Sequence, residues 1–272
     1  MTDMIEDVRQ HYHATGLTER LRAALTALGP EDQRLTPQQL GALDQFHTRG
    51  HLATAEIGKL AEIAADMSVL DIGSGVGGPA RFLAAAYGCR VTGIDLSEPF
   101  VDAARYLTER TRQTGQVSFQ IASALELPFG HGGFEVVLLL HVAMNISDRA
   151  QLYSEIRRVL KPGGRFVTYD VVLNGGEPHY PGPWARSPAT SFLLTADATR
   201  EAIEPAGFRA LVWQDSTEAA KGWIAELRES GPPPSPNLGL VMGPDFPQLA
   251  TNLGRSLMEG RLGILTAVFE AV

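Results

Sequence analysis

The sequence predicts an α/β domain built on a doubly wound, mainly parallel sheet. Three observations carry this expectation: short apolar runs alternate with helical segments from Met67 onward, the runs "FEVVLLL" and "GRFVTYDVV" are hydrophobic almost throughout, and a glycine-rich turn follows the first run. Strand–helix alternation requires parallel strands joined by crossover helices. Runs without polar alternation suit strands covered on both faces.

Taken in order, residues 1–66 read as helices. "TERLRAALTALG" sets Leu21, Ala24, Leu25 and Leu28 on one face and stops at Gly29-Pro30. In "LTPQQLGALDQF" Thr36 is a cap and Pro37 takes the first helical position, where its missing N–H is not needed. A third helix starts near Leu52. The runs "SVLDIG", "RVTGID", "VSFQIA", "FEVVLLL" and "GRFVTYDVV" are strands, with helices near 79–87, 99–113 and 149–160 between them. After Asp170 comes "NGGEPHYPGPWARSP", too long to be a mere connection. A helix over 196–205, a strand "RALVWQDST", and an amphipathic helix with Ala219, Trp223 and Leu227 inward follow. The linker "GPPPSPNLG", a helix near 246–258 and the strand "ILTAVFEAV" close the chain. The expected organisation is a helical cap segment (1–66), a core (67–216), a helical insert capping a pocket (217–261) and a final core strand (262–272).

Composition narrows the function classes. With 272 residues, 44% of them hydrophobic, the chain can bury a full core without disulfide or metal. Thirty-one acidic residues against 23 basic ones give a net charge of -8, and no basic stripe is present, which argues against nucleic acid as a partner. The single cysteine, Cys89, opens an apolar alternation and reads as a buried strand thiol, which fits a reducing cytoplasm. No stretch approaches the roughly 18 apolar residues of a membrane span, so no membrane insertion is expected. The start, "MTDMIEDVRQHYH", is polar and acidic, unlike a secretory leader. His11 and His13 flank Tyr12 without a carboxylate or thiolate cluster beside them, so no metal is expected.

The turn "VLDIGSGVGGPARF" poses the main chemical question. Gly73, Gly75 and Gly78 satisfy the dinucleotide fingerprint, and Asp95 stands at the end of the next strand as an acidic ribose partner. By spacing alone NAD is allowed. Asp71 argues against it, because a carboxylate at the mouth of the loop repels a pyrophosphate in a partly dry cleft. S-adenosylmethionine has no phosphate, and its sulfonium and ammonium groups are attracted to acidic residues.

"VLDIGSGVGGPARF", "VTGIDLSEPFVDAAR", "LELPFGHGGFEVV" and "RRVLKPGGRFVTYD" resemble the successive motifs of class I S-adenosylmethionine-dependent methyltransferases. With "DQFHTRGHLAT" upstream and "SFLLTADATREAIEPAGF" downstream, the likeness covers about four-fifths of the chain. It is most similar to the small-molecule enzymes related to sarcosine/dimethylglycine and tocopherol methyltransferases. The resemblance implies a Rossmann-like seven-stranded sheet with the last strand antiparallel. It also implies that Asp71, Gly73, Ser74, Gly75 and Gly78 line the methionine and ribose side, that Asp95 holds the ribose hydroxyls, and that Leu96 lies against the adenine. Where relatives often carry a carboxylate for the adenine amino group, this chain has Ser123, followed by Ala124, whose amide can reach the ring. His47 is a catalytic candidate beside His141; the resemblance implies that it closes over the cofactor with Gly50 and Thr54, and a helix-end cap is its alternative reading.

His141 follows "EVVLLL" at its carboxyl end, where open α/β sheets place ligand groups. It can orient the donor, take a proton from the acceptor, or support its own loop. Tyr12 is a candidate to fold over the cofactor carboxylate. Tyr180, Trp184 and Phe192 are candidates for an apolar acceptor wall, with Met144 and Met242 beside them; Trp213 and Trp223 read as structural. The expectation is transfer of a methyl group from S-adenosylmethionine, leaving S-adenosylhomocysteine, to a nitrogen, oxygen or carbon of an uncharged or weakly polar small molecule. The alternative is a protein that binds this cofactor but is inactive in transfer or catalyses a non-methylating rearrangement.

Overall fold

The structure is a computed structural model, and it describes residues 16–231 and 235–272. The helices are α1 (Leu17–Leu25), α2 (Pro37–Asp44), α3 (Gly50–Leu60), α4 (Gly78–Tyr87), α5 (Glu98–Thr111), α6 (Arg149–Val159), α7 (Ala196–Ile203), α8 (Thr217–Glu229), α9 (Leu238–Met242) and α10 (Phe246–Met258). The strands are β1 (Ser68–Ile72), β2 (Arg90–Asp95), β3 (Val117–Ile121), β4 (Phe134–Leu140), β5 (Leu160–Leu173), β6 (Phe208–Asp215) and β7 (Leu262–Ala271). They form one seven-stranded sheet in the order β3-β2-β1-β4-β5-β7-β6. β1 to β5 pair in parallel, and β7 runs antiparallel to both β5 and β6. The doubly wound sheet with an antiparallel last strand is therefore as expected.

The central strands are apolar on both faces because helices cover both. Val69, Val136, Leu138 and Val167 belong to one buried cluster, with Leu83 and Ala84 of α4, while Leu70, Val137, Leu139 and Phe166 belong to the other, with Leu152 and Ile156 of α6. The strand order reverses at β1, between β2 and β4, so a crevice opens there at the carboxyl ends of the strands.

The amino-terminal helices follow the capping logic of the sequence. Thr36 and Gln39 close a reciprocal capping box with Pro37 at the first turn of α2. Leu17, Leu21 and Leu25 of α1 are buried in a cluster with Leu40 and Leu43 of α2, Phe100 and Leu107 of α5, and Val241 of α9. α2 is tied to α4 by a fully buried ion pair, Arg81 Nη2 to Asp44 Oδ2 at 2.8 Å. Cys89 is a buried free thiol just before β2, with burial pushing its pKa up to about 11.

The insert between β6 and β7 is where the sequence reading needs correcting. α8 buries Thr217 and Ala220 and packs Ile224 inward, while Ala219 is exposed, Leu227 is 45% exposed and Trp223 is only partly covered. The i, i+4, i+8 spacing of those apolar residues was real, but the face that docks is one position further along. Cross-chain bonds fix the insert in place. Arg186 pairs with Asp245 at 2.8 Å, Asn252 donates to the Pro181 carbonyl at 2.9 Å, and the Ser256 hydroxyl accepts from the His179 N–H at 2.9 Å. At its base the Ser216 N–H donates to the Ile264 carbonyl at 2.8 Å, so the insert leaves and re-enters the sheet on neighbouring strands. No helix among the described residues is long and apolar enough to cross a membrane.

Candidate functional site

The glycine turn between β1 and α4 builds the floor of the crevice. Gly73 and Gly75 have φ of +69° and +52°, in the left-handed region that side-chain-bearing residues avoid. Both also lack room for a side chain: a Cβ on Gly73 would lie 2.4 Å from Val142 Cγ2, and one on Gly75 would lie 3.1 Å from the Phe46 ring. The turn is pinned to β2 by Ser74 N–H to the Ile94 carbonyl and Gly75 N–H to Asp95 Oδ2, both 2.9 Å. Asp95 Oδ1 accepts the Ser97 N–H at 2.9 Å.

Asp71 ends β1 beneath this turn and is 1% exposed. Its Oδ2 is buried without a hydrogen-bond partner, and so is the hydroxyl of Ser74. Burial, with the Asp95 charge adding to it, pushes the Asp71 pKa up to about 7. An unpartnered buried carboxylate is costly unless a cation meets it. The chemistry of this floor therefore fits a cationic nucleoside and opposes a pyrophosphate. The turn offers close backbone approach, Asp95 offers acceptor oxygens, and Asp71 waits for positive charge.

Above the floor lies a cavity of about 1360 Å³, open solvent at its mouth included. Gly73, Gly75, Asp95, Leu96, Ser123 and Ala124 line one end. His141, Met144, Trp184, Phe192 and Met242 line the other, with Leu253, Pro183 and Ile146. Among the described lining residues the charged ones are Asp95 and Asp148, and neither lysine nor arginine takes part. The Ser123 hydroxyl already accepts the Leu125 N–H at 3.2 Å.

Several sequence candidates lie outside that lining. Gly78 is the first residue of α4, and its missing Cβ makes room for the Asp44 carbonyl, which an added Cβ would approach to 2.1 Å; it serves helix packing. His47, Gly50 and Thr54 form their own buried network, with His47 Nε2 at 3.1 Å from both the Gly50 carbonyl and Thr54 Oγ1. Burial depresses the His47 pKa to about 4. Phe46, the preceding residue, takes the place expected of His47: it lines the cavity and meets Phe100 edge-on at 5.5 Å. Tyr180 stands behind the wall against Trp184, 6.3 Å between ring centres. Tyr12, His11 and His13 lie outside the described residues. Asp71 and Ser74 sit under the floor rather than on the cavity surface.

His141 leaves β4 with φ of +57°, a conformation rare for a residue with a side chain. Its N–H donates to the Tyr169 carbonyl at 2.8 Å, and its ring stacks on the Tyr169 ring at 5.3 Å and 16°. Burial and the nearby His47 hold its pKa well below the usual range, so it is neutral. The turn beyond it is braced by Asp170, whose Oδ2 accepts the Ala143 N–H at 2.9 Å and whose pKa burial raises to about 7. That turn presents Asn145, which sequence reading missed and whose Oδ1 is buried without a partner. Its position three residues before the helix-capping Asp148 was the available signal.

The doubly wound sheet with its antiparallel last strand is the fold of class I methyltransferases. Residues 70–168 match the methyltransferase domain family. The chain is similar to an O-methyltransferase of Penicillium expansum, 33% identical over 172 residues, which is 62% of this chain and 62% of that protein. It spans 48–62% of the length of the first curated relatives it matches. Among solved structures it resembles geranyl diphosphate C-methyltransferase from Streptomyces coelicolor A3(2), crystallised with Mg2+, geranyl-S-thiolodiphosphate and S-adenosyl-L-homocysteine (TM-score 0.70, 19% identity, 99% of this chain and 98% of that one). It also resembles the [4+2]-cyclase SpnF (TM-score 0.66, 21% identity, 88% and 97%). These likenesses show the fold.

Proposed function

We propose that the protein transfers a methyl group from S-adenosylmethionine to an oxygen of a small, uncharged, largely apolar molecule. The observation that carries this reading is the buried, unpartnered Asp71 carboxylate under a glycine turn that opens into an apolar cavity. When bound, the cofactor supplies an electrophilic methyl carbon on a good leaving group. The chain's own residues bind, orient and exclude water. Asp71 offers its negative charge to the cationic end, Gly73 and Gly75 admit the backbone to close contact, and Asp95 accepts from the ribose hydroxyls. Leu96, Ser123 and Ala124 flank the base. Trp184, Phe192, Met144 and Met242 enclose the acceptor, which supports near-attack positioning and desolvation.

Oxygen as the acceptor atom is supported by the name of the Penicillium relative. An uncharged acceptor is supported by the lining: a phosphate or diphosphate there would find carboxylates and no basic side chain. The cofactor pocket, the 1–66 cap and the 217–261 insert act together in this reading, and a cytoplasmic setting agrees with the reduced Cys89.

Calorimetric titration with S-adenosylhomocysteine and with NADH tests the cofactor; binding of the first and not the second is expected, and the reverse refutes the reading. Incubation with methyl-labelled S-adenosylmethionine and a panel of phenols, enols and alcohols tests transfer. Tight binding with no label moved would turn the reading to a cofactor-binding protein that is inactive in transfer or runs a non-methylating rearrangement.

A further inference from the structure

We infer that a polarised chain of hydroxyls, Tyr169 to Thr48 to His141, holds the His141 ring with its proton on Nδ1. His141 thereby gives the cavity a hydrogen-bond donor and no base. The chain begins at Arg49, whose guanidinium is locked on Glu56 by two bonds of 2.6 and 2.8 Å. Burial pushes the Tyr169 pKa up; the Thr48 hydroxyl and then the Arg49 cation, which faces the Tyr169 hydroxyl, oppose that push, and the Glu56 charge adds to it more weakly. A cation on that side attracts the phenol oxygen's lone pairs and turns its hydrogen away. The available partner on the other side is Thr48 Oγ1, 2.9 Å off and buried. Thr48 then accepts from Tyr169, which leaves its own hydrogen for His141 Nε2 at 3.5 Å. The opposite polarity would aim the phenol hydrogen at a guanidinium.

A neutral imidazole that accepts at Nε2 carries its hydrogen on Nδ1. Among the described residues nothing hydrogen-bonds His141 Nδ1, and the residue lines the cavity. The groups around the ring agree. Tyr169 stacks on one face, His47 meets it edge-on at 6.2 Å, and neither brings a negative charge that would stabilise an imidazolium. The left-handed backbone at His141 is what turns the side chain into this stack. Thr48 and Tyr169 are positioning residues, acting through His141.

The consequence for chemistry rests on the proposed methyl transfer. The carbon–sulfur bond breaks with its electron pair kept on sulfur, a lone pair of the acceptor oxygen forms the new bond, and the oxygen's proton leaves to the solvent at the cavity's open mouth rather than to His141. Such a site suits phenols and enols, which enter uncharged and whose oxygen, held by the Nδ1–H, loses its proton readily as the new bond forms, without a side-chain base.

The tautomer belongs to the protein without ligand, so it is measured apart from cofactor binding and transfer. Long-range proton–nitrogen correlation on protein labelled at the histidine nitrogens, with the His141 signals assigned by their loss in His141→Gln, is expected to show a pyrrole-type Nδ1 and a pyridine-type Nε2 near neutral pH. One hydrogen bond of usual net strength shifts the tautomer ratio by up to about tenfold. Thr48→Ser is expected to keep the ratio and Thr48→Val to lose that bias. If Thr48→Val does not fold, Tyr169→Phe, which removes the head of the chain, makes the same test. A pyrrole-type Nε2 in the wild type, or a ratio unmoved by both variants, overturns the inference even if S-adenosylhomocysteine binds and methyl transfer proceeds.

Discussion

Replacing Asp71 by asparagine should make the ligand-free protein less sensitive to pH. The carboxyl titrates at about 7 in the folded chain against 3.8 unperturbed. Between those values it is protonated when folded and ionised when unfolded, so unfolding releases a proton and stability falls as pH rises. The full penalty persists above the folded value. A gap of about 3 units at about 1.36 kcal/mol each is about 4 kcal/mol, of which about 2 kcal/mol is lost between about pH 5.5 and pH 8. Asparagine has nearly the same shape and does not ionise. A buried amide adds a constant offset, and the pH-dependent difference survives it. Urea unfolding of wild type and Asp71→Asn across that range measures it: the variant should gain about 2 kcal/mol on the wild type. Parallel stability curves would refute an uncompensated buried carboxyl. Calorimetry in two buffers of different ionisation enthalpy extends the test, because an ammonium arriving beside Asp71 should expel a proton near pH 7.

Asp95→Ala should weaken S-adenosylhomocysteine binding by about 1–3 kcal/mol, read by titration, through loss of charge-assisted bonds; unchanged affinity would remove Asp95 from the site. Gly78→Ala should destabilise the fold, because its Cβ would meet the Asp44 carbonyl at 2.1 Å, while any folded fraction keeps near-normal cofactor affinity. Trp184→Ala should cost about 3–5 kcal/mol in unfolding free energy as a large buried ring is lost. It should also raise the KM for the acceptor more than that for S-adenosylmethionine, since the ring lines the acceptor end.

The sheet was legible because its signals are local. Periodicity marks each strand, and Thr36, Pro37 and Gln39 announce the start of α2 within four residues. The place of the glycine turn was legible for the same reason: Asp71 and Asp95 lie at the carboxyl ends of two adjacent strands, with Gly73 and Gly75 just beyond the first, where topology fixes their neighbours. Beyond the sheet, position depends on contacts remote in sequence. Whether Phe46 or His47 enters the cavity is decided by how the turn before α3 buries a polar network around His47, Gly50 and Thr54. The docking face of α8 and the placement of Trp184 depend on the joints from Arg186 to Asp245 and from Asn252 to Pro181, which no periodicity encodes. Tyr169 reads in the sequence as one more strand residue. Only the fold brings it against Thr48, 121 positions away.

The insert departs from β6 at Ser216 and returns at Leu262, with Asp215 and Leu265 directly paired across the two strands. Its two stems thus lie on paired neighbouring strands, offset by about three residues of β7. A loop whose ends are already clamped together can change length or sequence at small entropic penalty. On the proposed function, changes of sequence within 217–261 alter the roof of the cavity and leave the strands and the glycine turn in place, while Val241 and Leu257, buried against the amino-terminal helices and the sheet, are held to apolar side chains.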